Sequence, residues 1–382
     1  MPLSSFLQRQ KELLLRFRTG IVQQSDSSPT RMERYDFFSS FPEQDKHIDN
    51  HYLQQDSEIE ENLRFTYDII IPSGRNDFST GIVLLHGLNE RSWSKYLQWA
   101  DYLAAHTGKP VILFPIAFHM NRSPSSWANP RLMKFWMEIR KKTIGTTSAL
   151  SFANVALSNR LSDEPYRFYY AGRQTVNDLA SLAKQILLGH HPLFQQGATL
   201  DFLGYSIGSF LAEILLMANP DDLFLSSRLF VFCGGSIFRH MYGTSRYIMD
   251  EKAYEHLLAY YCNDWFKPFK NDFDKNKGPD DGLQQAFNAM ISPDFFRKER
   301  EAFFKSHRNR IAGISLKKDQ VMPYRGVEAC MGKQNARECF ELIDFPFEYT
   351  HENPFPLNER IDEQILENSF HRVFWRCASF LA

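Results

Sequence analysis

The 382-residue chain carries 44 Lys and Arg against 45 Asp and Glu, a net charge of −1, with 43% hydrophobic and 23% charged residues. That length supports a sizeable core, and the charge balance gives no electrostatic case for binding nucleic acid or an anionic membrane. Five scattered cysteines without a C-x-x-C pair argue against a zinc cage or a disulfide framework and for a reducing, cytoplasmic setting.

Leu3, Phe6, Leu7, Leu13, Leu14, Leu15 and Phe17 recur at helical spacing, which predicts an amphipathic helix over 3–18 docked on the domain surface. The chain opens without an apolar h-region, and nothing approaches eighteen consecutive apolar residues, so no membrane span is expected. Residues 20–60 are polar, broken at Ser25 to Pro29 and at Pro42 to Asn50, and read as an irregular extension.

Strand patterning begins near Leu63, where Phe65 and Tyr67 alternate with Arg64 and Thr66 before Ile69, Ile70 and Ile71. Gly81 to Leu85 suits a parallel strand covered on both faces, and it runs into His86-Gly87-Leu88-Asn89-Glu90. A helix is expected from Ser92 or Ser94 to His106, with Gly108 just past its end, and then a strand over Val111 to Phe118. Residues 119–172 mix helical and turn signals and read as an insertion beside a pocket. Helix 173–188, strand Thr199 to Gly204, helix 208–218 and strand Leu229 to Phe232 follow. Residues 239–306 are helical in period, with candidates at Ala253 to Phe266 and after Ser292-Pro293, and look like a lid after the sixth strand. Strands Ile311 to Leu316 and Phe340 to Phe347 and a closing helix through Ile365, Phe370 and Phe374 complete the pattern. Strands alternating with helices predict an α/β class with a doubly wound, mostly parallel sheet. The expected division is an extension over 1–60, a core of 61–238 and 307–382, and a lid over 239–306.

The chemistry centres on Gly204-Tyr205-Ser206-Ile207-Gly208, between an apolar strand and an apolar helix. A bare G-x-S-x-G is a weak pattern; its strand-turn-helix setting is what makes Ser206 a candidate nucleophile. A serine hydroxyl needs a base to take its proton and a third group to hold the base. In this architecture the partners follow in the order Ser, Asp or Glu, His, on loops after later strands. Asp319 follows the strand Ile311 to Leu316, and His351 lies past the last strand. His371, inside the final helix, is the weaker base. His86 and His119 precede Ser206, the wrong order, and His86 better serves to shape its turn. Oxyanion donors are expected from the amide of Ile207 and from that of Leu88, with Asn89 the alternative.

Together these residues resemble the α/β-hydrolase superfamily over roughly 63–382. The resemblance implies a Ser206 nucleophile, an Asp319 orienting acid, a His351 general base and an oxyanion hole of Leu88 and Ile207 amides. It also implies a small-molecule ester or acyl substrate, with no cofactor and no metal. An amidase or acyltransferase would use the same triad, and a non-catalytic binding protein could share the fold. Tyr260, Trp265, Phe266, Phe303 and Phe304 in the expected lid fit either an apolar acyl pocket or helix packing.

Overall fold

The apolar runs of the sequence pair into one eight-stranded sheet in the computed structural model, which describes residues 6–19, 28–40, 56–145, 147–265, 282–358 and 360–382. The strands are β1 (Thr30–Phe38), β2 (Arg64–Pro72), β3 (Phe78–Leu85), β4 (Val111–Leu113), β5 (Phe194–Tyr205), β6 (Leu229–Phe232), β7 (Ile311–Leu316) and β8 (Phe340–Ile343). Their order is β1-β2-β4-β3-β5-β6-β7-β8. β2 is antiparallel to both neighbours, and every other pairing is parallel.

Alternate residues of the central strands enter two cores. Ile82, Leu84, Leu203, Phe230 and Ile314 pack under the helices Tyr96–Thr107 and Glu363–Leu381. Val83, Leu85, Phe202 and Val231 pack under Arg167–Leu187 and Ile207–Ala218. Burial on both faces is why these strands read as continuous apolar runs. This is the α/β-hydrolase fold. It directs the carboxyl ends of β3, β5, β7 and β8 toward one edge of the sheet, where a ligand can meet loops from all four.

Several elements depart from expectation for identifiable reasons. Residues 30–38, read as part of an irregular extension, form edge strand β1; Arg31, Glu33, Arg34 and Asp36 obscure its period, as charges on an edge strand do. Phe37 still packs on Phe65 and Phe114 from that strand. The N-terminal helix spans Phe6–Thr19 and docks through buried Phe6 and Leu13, with Arg9 bonded to Asp101; Leu3 and Pro42 to Asn50 lie outside the described residues. The strand expected over Val111 to Phe118 stops at Leu113, where the chain turns toward the site, and that over Phe340 to Phe347 stops at Ile343. Ser92 caps no helix, its hydroxyl being taken by Ser94, and Ser292-Pro293 precedes a turn, so that helix begins at Arg297. The fully buried Arg300 donates to the carbonyls of that turn at Ser292, Pro293 and Phe295.

The 119–172 segment carries two helices of its own, Pro130–Ile144 and Val155–Asp163, and ends in the first turns of Arg167–Leu187, the helix expected over 173–188. Arg140 forks onto Asp250 at 2.5 and 2.9 Å, and Asp250 also caps Glu251–Ala259 through Ala253. This paired, hydrogen-bonded charge ties both excursions from the core to each other. No helix among the described residues is long and apolar enough to cross a membrane.

Candidate active site

β5 delivers Ser206 to the sheet edge, and the helix Ile207–Ala218 begins at the next residue. Ser206 has φ +56° and ψ −124°, a conformation that costs a non-glycine residue about 1–3 kcal/mol. Strand and helix touch so closely that only glycine fits at two points. A Cβ on Gly204 would lie 2.5 Å from Ser209 Cα, and one on Gly208 would lie 2.3 Å from the Leu85 carbonyl oxygen. Gly208→Ala is therefore expected to lower the unfolding free energy in urea by about 3 kcal/mol or more. A loss below about 1 kcal/mol would show that helix and strand separate cheaply.

Three side chains distant in sequence meet at this turn. His351 Nε2 lies 2.7 Å from Ser206 Oγ, and His351 Nδ1 lies 2.8 Å from Asp319 Oδ2. All three are buried. The other carboxylate oxygen, Oδ1, accepts the amides of Val321 (2.9 Å) and Met322 (2.8 Å), which fixes its orientation in the loop after β7. Such a chain holds the imidazole with Nδ1 protonated and Nε2 free to accept the serine proton.

The loop after β3 supplies the opposite wall. His86 donates from Nδ1 to the Gly87 carbonyl and accepts the Ile116 amide at Nε2, tying the ends of β3 and β4 together. The Gly87 amide is taken by the Tyr96 hydroxyl. Leu88 and Ile207, the expected oxyanion donors, both line one cleft. Asn89, at φ +60°, donates through its side-chain amide to the carbonyls of Ala153 (2.9 Å) and Tyr247 (2.6 Å).

The other histidines weighed as bases bond elsewhere. His371 faces Tyr102 and Glu367. His119 is buried, bonded through Nδ1 to the Ala117 carbonyl, and burial lowers its pKa to about 4, so it is neutral near pH 7.

Two clefts meet at Leu88. One is apolar, with about 550 Å³ of atom-free space partly open to solvent, and its walls include Ile116, Phe168, Val176, Ile207, Phe210 and Phe287. The other is polar and wider, lined by Glu90, Lys95, Glu348, Glu352 and Asn353. Of the aromatic residues singled out in the expected lid, Tyr260 and Trp265 pack with Tyr261, and Phe303 packs with Phe304 and His307. Phe266 lies outside the described residues. Among the described aromatic residues of the same stretch, Phe287 reaches the apolar cleft.

Two supporting residues escaped the sequence reading. The Tyr205 hydroxyl donates to the His351 carbonyl while its ring stacks on the imidazole, and Lys95 Nζ donates to the Glu352 carbonyl at 2.9 Å. Tyr205 fills a variable position of the G-x-S-x-G turn and reads as core; no local signal marks either residue. Among the described residues no cluster of three or more His, Cys, Asp or Glu could hold a metal ion.

The sequence matches the family of unknown function DUF6051 over residues 19–382. The chain belongs to that family. No curated protein matches the sequence of this DUF6051 member. Among solved structures it is similar to vibralactone cyclase, at 11% identity, covering 100% of this chain and 90% of that one with a TM-score of 0.46. It is also similar to carboxyl esterase 2 of the mycorrhizal fungus Tuber melanosporum, at 8% identity, 94% and 87% coverage and a TM-score of 0.45. An esterase of Pyrobaculum calidifontis aligns at 10% identity, 97% and 92% coverage and a TM-score of 0.42.

Proposed function

We propose that this chain is a serine hydrolase that cleaves carboxylic esters through an acyl-enzyme. The reading rests on one observation, the continuous hydrogen-bonded chain from Ser206 Oγ through His351 to Asp319 at a strained turn whose next residue, Ile207, lines an apolar cleft. His351 Nε2 takes the proton from Ser206 Oγ as the oxygen attacks the ester carbonyl carbon. The carbonyl oxygen becomes negative and is met by the amides of Leu88 and Ile207, the latter at a helix N-terminus where the dipole favours negative charge. The tetrahedral adduct collapses, and His351 passes its proton to the departing alcohol oxygen. Water then enters, loses a proton to His351, attacks the acyl carbon and releases the acid and Ser206. The Asp319 carboxylate steadies the imidazolium. The described parts of 239–306 serve as a lid, with Leu283 and Phe287 lining the apolar cleft.

A short-chain fluorophosphonate reporter tests the reading, because it reacts only with a serine whose proton has somewhere to go. The wild type should be labelled on Ser206, and Ser206→Ala should not be labelled at all. Equal labelling of the two proteins, or none of a folded wild type, would overturn it and leave a binding protein of the same fold.

A further inference from the structure

Resting on the hydrolase reading, we infer that the substrate is an ester joining an apolar acyl group to a hydrophilic alcohol, with acyl depth set by Gly172. The assignment follows from which cleft the proton donor serves. In any such reaction the imidazolium protonates the leaving oxygen, so the alcohol leaves on the side of His351. The polar cleft is that side: Glu348, Tyr349, Thr350, Glu352 and Asn353, which flank His351 in sequence, line it. The apolar cleft runs the other way, along the first turns of the helix after Ser206 at Ile207, Phe210, Leu211 and Ile214. With the carbonyl held between Leu88 and Ile207, the acyl chain has this cleft as its course.

The charges of the polar cleft argue for a neutral polyol over an ionic headgroup. Its cations are engaged: Lys95 pairs with Glu90 and donates to the Glu352 carbonyl, and Arg91 donates to the carbonyls of Trp127 and Ala153. Its carboxylates Glu90 and Glu348 are paired in turn, with Lys95 and Lys318, and the Thr350 and Asn353 side chains line the same cleft to meet hydroxyl groups.

Gly172 lies on the helix Arg167–Leu187 and lines the apolar cleft. A Cβ there would meet only Leu211 Cδ1, at 3.8 Å, and Leu211 is itself a cleft residue. A larger side chain at 172 would thus project into the acyl path, and it would improve helix propensity on a helical backbone.

The experiment compares wild type and Gly172→Leu on p-nitrophenyl esters from acetate to decanoate, alongside calorimetric binding of octanoate. The wild type should favour medium chains. Gly172→Leu should lose at least tenfold more in kcat/KM on octanoate than on acetate, and bind free octanoate at least tenfold more weakly. With the octanoyl group fixed, the glyceryl ester should be cleaved faster than the butyl ester. A chain-length profile unchanged by Gly172→Leu, or a preference for the butyl ester, sinks the assignment while leaving the hydrolase reading intact. Octanoate binding that is lost in Gly172→Leu, in a protein that cleaves no ester, would instead keep the acyl cleft and overturn the chemistry.

Discussion

Asp319→Asn should cut turnover of an ester substrate by about 10⁴-fold while leaving the fold intact. The size follows from how the carboxylate is held. Oδ1 accepts two backbone amides, from Val321 and Met322, so the carbonyl oxygen of an introduced Asn would keep that place. Its NH₂ group would then face His351 Nδ1, where Oδ2 now accepts at 2.8 Å. Two donors cannot share one bond, so His351 would turn Nδ1 into the acceptor and carry its proton on Nε2, toward Ser206. In that tautomer the imidazole has no lone pair for the serine proton. Steady-state kinetics on a p-nitrophenyl ester, with the urea midpoint as a folding control, reads the effect. A loss of less than tenfold would mean that another group orients the base.

Glu213 predicts a large pH effect on stability. It lies on the helix after Ser206, is fully buried, and neither carboxyl oxygen has a hydrogen-bond partner among the described residues. Burial raises its pKa from 4.5 to about 8, because the charged form would sit in a medium that cannot solvate it. The folded protein therefore keeps a proton that the unfolded chain gives up near pH 4.5. Its contribution is complete below that pH and is lost as pH rises through about 8. Between pH 5 and pH 9 the shift corresponds to a loss on the order of 4 kcal/mol. Glu213→Gln keeps the shape without the proton, so its stability should fall less over that range, by a similar amount. Urea unfolding of both proteins at pH 5 and pH 9 gives the comparison; parallel losses would show that Glu213 is solvated or paired when charged.

Much of this architecture was legible because the governing signals are local. Leu229 to Phe232 and Ile311 to Leu316 are bounded as read, since buried parallel strands leave an unbroken apolar run. The convergence of Ser206, Asp319 and His351 followed from chain order and loop position. What stayed hidden depends on pairing across long separations. β1 is defined by its register with β2, and its own charges conceal it. The grip of Tyr205 on the His351 carbonyl joins residues 146 positions apart. The walls of the apolar cleft likewise come from four distant stretches, at 88, 116–119, 168–176 and 207–214, with Leu283 and Phe287 closing it from a fifth. Helical aromatic residues advertise themselves equally well as packing, and most of those in the expected lid do pack.

The side chain of Asn89 gives the molecule a latch with two catches. One amide nitrogen grips Ala153 in the first excursion from the sheet and Tyr247 in the stretch leading into the second. Neither can swing outward without letting go of the residue next to Leu88. Displacement of either excursion is thereby coupled mechanically to the loop that carries Leu88.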